Sequence, residues 1–179
     1  MTKTAKIYGS GLYDLALEEN LSEEIMEELN EVRKVFWENP DYQTLLGVPS
    51  IPKHERTKLV EEAFGNQVER YLVNFLKILC ERGIIMEFGG CCDEYTRRYR
   101  IDHNISEAVV YSAVPLSTSQ RDALKDKLEK MSGKTVIITE KLQPSLIAGI
   151  RVELDGKQLD GSVKGRLAGI SRKLEETVM

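Results

Sequence analysis

Groups that carry catalytic and metal chemistry are scarce in this chain. Its 179 residues include only two histidines, His54 and His103, and three cysteines, Cys80, Cys91 and Cys92. No C-x-x-C pair occurs and no Cys/His or Ser/His pairing is close in sequence, so neither a zinc site nor a nucleophile with its base is expected. The odd cysteine count, with two of the three adjacent, cannot close a disulfide set and points to a reducing compartment. Cys91 and Cys92 read as small core residues rather than reactive thiols. Long apolar runs are missing too: none approaches the roughly 18 residues of a membrane-spanning helix. The opening MTKTAKIYGSGLYDLALEEN lacks the basic flank, apolar stretch and cleavage site of a secretion signal, so a soluble, unexported protein is expected. Nor is positive charge in excess. The net charge is −4, which argues against wrapping nucleic acid. Residues 1–104 carry 13 basic and 19 acidic side chains and residues 105–179 carry 12 and 10, so the C-terminal part is the better face for an acidic partner.

What is present describes an ordinary globular protein, 41% hydrophobic and 30% charged, long enough for one large domain or two small ones. The first hundred residues read as helices. Thr4 opens the first, with Ile7, Tyr8, Leu12, Leu15 and Ala16 on one broad face. Gly9 and Gly11 inside it each cost up to about 1 kcal/mol relative to Ala, which suggests close approach of a neighbouring or docked helix. Ser22 caps a second helix whose core stripe is Ile25, Leu29, Val32 and Phe36, and Asn39-Pro40 ends it. A short helix follows over Asp41–Leu46. The next has Pro52 at its first position and carries Leu59, Val60, Ala63 and Phe64. Asn66 caps helix five, the most apolar, with Val68, Tyr71, Leu72, Phe75, Leu76 and Leu79 before Gly83. So wide a stripe fits a central helix or one that leaves a groove for a partner. A sixth helix, from about Met86 to Arg100, packs Phe88, Cys92, Tyr95 and Tyr99, and Gly89-Gly90 weakens its start.

Composition changes at Asp102-His103-Asn104. Ala108–Val114 is a β-branched and aromatic strand. Ser117 and Gln120 form a capping box for a helix with Ala123, Leu124, Leu128 and Met131 inward. Thr135–Thr139 is a second strand. Ile150, Val152 and Leu154 alternate with Arg151, Glu153 and Asp155, the period of a half-buried strand. Asp155-Gly156 is a strong hairpin signal, and Gln158–Asp160 is the return strand. Ser162 then caps a closing helix with a stripe of Val163, Leu167, Ile170 and Leu174. The predicted fold is α+β: an N-terminal six-helix bundle over residues 1–104, followed by a small β-α-β-β-β-α domain over residues 105–179.

The stretch from Gly161 to Arg166 admits two readings. Backbone N–H groups at Gly161-Ser162, with Lys164 and Arg166 nearby, make a cradle for phosphate in a small anion- or nucleotide-binding protein. The spacing matches neither phosphate-binding glycine motif, and a tight strand-to-helix corner explains the same residues. RNA binding on the C-terminal sheet is disfavoured, because Gly161–Gly165 is not G-x-x-G and the chain is acidic.

Taken together, Pro144-Ser145-Leu146-Ile147-Ala148-Gly149-Ile150 and Asp160-Gly161-Ser162-Val163-Lys164-Gly165-Arg166-Leu167 resemble the C-terminal signature of the delta subunit of F-type ATP synthases, the oligomycin-sensitivity-conferring protein family. Tyr8–Ala16, Asn74-Phe75-Leu76, Ser112-Ala113 and Pro115-Leu116-Ser117 extend the resemblance over essentially the whole chain. The family usually has Ala where Gly9 and Gly11 stand, Asp where Gln143 stands and a second Gly where Ala148 stands. The resemblance implies a non-catalytic stator subunit with no cofactor, no metal, no nucleic acid and no small-molecule substrate. It ties the catalytic head, through the N-terminal helices of alpha subunits, to the b-type subunits of the peripheral stalk and resists rotor torque. Carried onto this chain, the alpha-subunit helix meets Tyr8, Leu12, Phe75 and Leu79, and the stalk meets Lys164 and Arg166. For a bacterial source, the implied location is the cytoplasmic face of the inner or plasma membrane, held there peripherally through the complex.

Overall fold

The computed structural model describes residues 1–146 and 149–160. The chain divides into two compact units, Met1–Tyr99 and a second beginning at Arg100. The division falls a few residues before the change in composition. The reason is local to the second unit: Arg100 pairs with Glu107 at 2.6 Å and the Asn104 carbonyl accepts from Thr135 N–H, which ties the end of the last helix to the sheet.

The first unit is helical: α1 (Lys3–Glu18), α2 (Ser22–Glu38), α3 (Pro40–Gly47), α4 (Lys53–Phe64), α5 (Arg70–Arg82), a 3₁₀ turn (Ile85–Glu87) and α6 (Phe88–Asp102), whose last residues pass the division. The stripe Ile25, Leu29, Val32 and Phe36 is buried as its spacing requires. Phe36 sits at the centre of the aromatic core, edge-on to Phe64 at 5.9 Å and to Phe88 at 5.2 Å between ring centroids. Helix starts differ most from the sequence reading. Thr2, not Thr4, caps α1 by accepting from Ala5 N–H. Ser22 is already helical, and Leu21 before it offers no side-chain cap. Glu69, not Asn66, precedes α5, because the Glu28 carboxylate of α2 accepts the Glu69 N–H and fixes where the helix begins. Burial raises the pKa of that Glu28 carboxyl. Pro52 stands one position before α4 rather than in it.

Two glycines set the approach of α1 to α6. A Cβ on Gly9 would stand 2.5 Å from the Cys91 carbonyl oxygen, and one on Gly90 would stand 2.8 Å from the Ala5 methyl. Gly90 therefore has a packing role that its low helix propensity conceals. Beside this contact lies Glu94, fully buried. Its carboxylate accepts from Arg97 at 2.7 and 2.9 Å and from the Ser10 hydroxyl at 3.1 Å. The Arg97 hydrogen bonds hold this carboxyl below the ordinary carboxylate range. A carboxyl lowered on folding stabilises the fold above its unfolded pKa and loses that contribution as pH falls through the folded value. Glu94→Gln is therefore expected to cost about 1–2 kcal/mol at neutral pH. The cost should shrink as pH is lowered through the folded value, as read from urea unfolding at neutral pH and along an acid series.

In the second unit, β1 (Ile105–Ser112), α7 (Thr118–Ser132), β2 (Thr135–Leu142), β3 (Ile150–Leu154) and β4 (Lys157–Asp160) follow one another. The strands form a mixed sheet in the order β2-β1-β3-β4, with β1 parallel to β2 and antiparallel to β3. β1 starts earlier than its apolar run, because Ser106 donates to Asp155 (2.8 Å), which draws the preceding residues into the ladder. Asp155 and Gly156 both have positive φ, 48° and 76°, as the two-residue hairpin between β3 and β4 demands. The Ser117 capping box forms. Of the α7 residues expected inward, Leu128 is buried and Leu124 half-buried, but Ala123 and Met131 are exposed. The helix covers the sheet with a narrower stripe than its sequence proposes. The Ile147-Ala148 step, the Ser162 cap and the stripe Val163, Leu167, Ile170 and Leu174 lie outside the described residues.

Candidate functional site

A groove about 360 Å³ in volume lies between α1 and α5 of the first unit. One wall is Ile7, Tyr8, Gly11, Leu12 and Leu15, and the other is Tyr71, Asn74, Phe75 and Ile78. Both sets fall at helical steps of three and four, so each helix contributes a single stripe. The floor is built of buried side chains, Leu12 and Phe75, while the rim exposes Ile7 (60%) and Ile78 (44%) to solvent. Isoleucine is costly to leave in water, at about 1.5–3 kcal/mol per side chain relative to full burial. From Ile7 to Leu15 the groove is about 12 Å long, roughly two turns of helix.

No charged side chain lines the groove. Its polar groups are the hydroxyls of Tyr8 and Tyr71 and the Asn74 amide. The Glu19 carboxylate at the end of α1 raises the Tyr71 pKa, so this phenol stays protonated. The chemistry available is apolar burial with a few hydrogen bonds, which suits a polypeptide and supplies neither acid, base nor nucleophile. The cysteines add none: burial pushes Cys80 and Cys91 up to about 11 and Cys92 up to about 12.

Of the four residues carried over for the alpha-subunit helix, Tyr8, Leu12 and Phe75 line the groove together. Leu79 is fully buried in the core and does not line it. Lys164 and Arg166 for the stalk, and the Gly161–Arg166 cradle, lie outside the described residues. Ile78 was not singled out in the sequence, although a signal existed. It repeats Tyr71 at seven and Asn74 at four residues, off the core stripe of Leu72, Leu76 and Leu79. On that face Ile78 stays 44% exposed at the groove rim. A second hollow, about 490 Å³, lies beside the exposed Trp37 and is walled by Arg33, Phe36, Pro40, Gln43, Phe88 and Gly89. Its Arg33 is engaged by Asp93 at 2.8 Å.

A helical unit with an open, uncharged two-helix groove, followed in the chain by a small mixed sheet, is the architecture of a protein built for contact rather than for chemistry at that groove. Residues 4–174 match the family described as ATP synthase delta (OSCP) subunit. The ATP synthase subunit delta of Anoxybacillus flavithermus is 33% identical over 171 residues, covering 95% of this chain and 96% of that relative. The Bacillus licheniformis subunit delta is 31% identical over 171 residues, covering 95% and 92%. A chain of the Toxoplasma gondii mitochondrial ATP synthase hexamer shares the fold, with a TM-score of 0.74 at 16% identity over 97% of this chain and 98% of that one. The chain belongs to the ATP synthase delta (OSCP) subunit family. Its role is that of a non-catalytic subunit of an F-type ATP synthase. Among the described residues, no helix is long and apolar enough to cross a membrane.

Proposed function

We propose that this subunit is the coupling between the catalytic head and the peripheral stalk. The α1/α5 groove receives the amphipathic N-terminal helix of an alpha subunit, and the C-terminal domain, with Lys164 and Arg166, meets the b-type stalk subunits. Through the complex, the protein is held peripherally at the cytoplasmic face of the membrane. The observation that supports the head contact is the pair of isoleucines, Ile7 and Ile78, left facing solvent across a buried apolar floor. A helix laid in that groove buries both with i, i+3/i+4 and i+7 anchors of its own. Such a tether resists torque without one critical bond, because its free energy accumulates over area at about 25 cal/mol per Å².

Calorimetric titration of the full chain with a peptide of the alpha subunit's N-terminal helix tests this directly. Saturable binding with a negative heat-capacity change, the mark of apolar burial, is expected. An absence of binding would remove the head-binding role of the groove.

A further inference from the structure

Gly11 lies in the middle of α1, where glycine costs about 1 kcal/mol relative to alanine. At Gly9 the fold explains that cost, since a Cβ there meets the Cys91 carbonyl at 2.5 Å. At Gly11 it does not. Nothing stands within 4 Å of the position its Cβ would take, and the residue is in a regular helical turn, so alanine fits both the space and the backbone. Gly11 is, however, part of the groove wall, with Tyr8, Leu12 and Leu15 around it and Phe75 across from it.

Resting on the reading of the groove as a helix-binding site, we infer that Gly11 is the seat for one large apolar side chain of the docked helix. The missing Cβ deepens the groove at its middle and lets an anchor residue descend onto the α1 backbone. The occupant is an amphipathic helix of the partner. Its apolar stripe matches a lining without charge, and its central residue is large. Toward Leu15 it carries a basic residue, because the exposed Glu18 and Glu19 follow Leu15 by one turn and Glu19 reaches Tyr71 at the groove's edge. Gly11 is therefore a specificity-determining position, setting the size of the anchor that the groove accepts.

The test separates stability from affinity. The full chain, Gly11→Ala and Gly11→Leu are each melted and then titrated calorimetrically with the alpha-subunit N-terminal peptide. Gly11→Ala is expected to raise Tm by about 3 °C, because helix propensity improves and nothing clashes. Its affinity is expected to fall about fivefold. Gly11→Leu is expected to melt no lower than the unmodified chain and to bind about 100-fold more weakly. Trimming the peptide's central large apolar residue to alanine should recover part of that loss in Gly11→Leu while weakening binding to the unmodified chain. Equal affinity of Gly11→Leu and the unmodified chain would overturn the inference and leave the groove reading standing. No binding to the unmodified chain would overturn both.

Discussion

Replacing Ile7 and Ile78 together by aspartate is expected to abolish docking of the alpha-subunit helix while leaving the subunit folded. Both side chains stand at the rim, 60% and 44% exposed, and neither belongs to the buried core. A carboxylate is well hydrated there in the free protein, so the fold loses little. In the complex, two ionised carboxylates face the apolar stripe of the occupant. Two apolar contacts are lost, each worth about 1–2 kcal/mol when partly buried. Each charge then adds the cost of desolvation without a partner. A loss of at least about 3 kcal/mol follows, more than 100-fold in Kd. Calorimetry with the alpha-subunit peptide measures it, and circular dichroism with a thermal melt checks the fold. Affinity within about threefold of the unmodified chain would place the interface elsewhere on the unit.

Gly9→Ala is expected to destabilise the helical unit, the opposite of Gly11→Ala two residues along the same helix. The added methyl would sit 2.5 Å from the Cys91 carbonyl oxygen and 3.0 Å from the Glu94 Cβ. Backbone on α6 is a poor group to displace, because Cys91 is locked in the helix ladder and the neighbouring Gly90 leaves no room for even a Cβ against the Ala5 methyl, 2.8 Å from where that Cβ would stand. Overpacking at such a contact costs about 1–3 kcal/mol, against at most about 1 kcal/mol gained in helix propensity. A net loss of up to about 2 kcal/mol is expected, and a larger one for Gly9→Val, whose branched Cβ also restricts χ1. Separating the helices would also pull Ser10 away from Glu94, bonded at 3.1 Å, and Arg98 away from Asp14, paired at 2.7 Å. Urea unfolding of the two alanine variants in parallel reads the contrast, and a Gly9→Ala chain as stable as the unmodified one would show that the contact relaxes freely.

The second hollow, at Trp37, shows what exposure alone does not decide. The chain's only tryptophan is 86% exposed on the rim of a space larger than the α1/α5 groove. Its walls mix an ion-paired arginine, a proline and a glutamine that donates to the Ile85 carbonyl at 3.0 Å. Its rim therefore lacks the continuous two-helix apolar stripe that makes the α1/α5 groove fit a helix.

Much of this architecture is legible in the sequence, because local chemistry dictates it. The spacing of Ile25, Leu29, Val32 and Phe36 fixed a buried stripe, Ser117 with Gln120 fixed a capped start, and Asp155-Gly156 fixed a hairpin whose positive φ angles few other residue pairs tolerate. The wide apolar face of α5 announced either a central position or an open groove. Tertiary structure decided between groove and core residue by residue. Phe75 lines the groove and Leu79 is sealed in the core, although both lie on one stripe, because only the position of α1 determines where α5 stops being covered. The same holds for helix starts. Glu28 from α2 sets the beginning of α5 through a hydrogen bond across 41 residues of chain, which no local pattern of capping residues contains. The two glycines of α1 carry the same lesson. Their sequence cost is equal, yet a neighbour 2.5 Å away makes one a packing residue and open space makes the other part of the groove, since a missing Cβ takes its meaning from what stands opposite it.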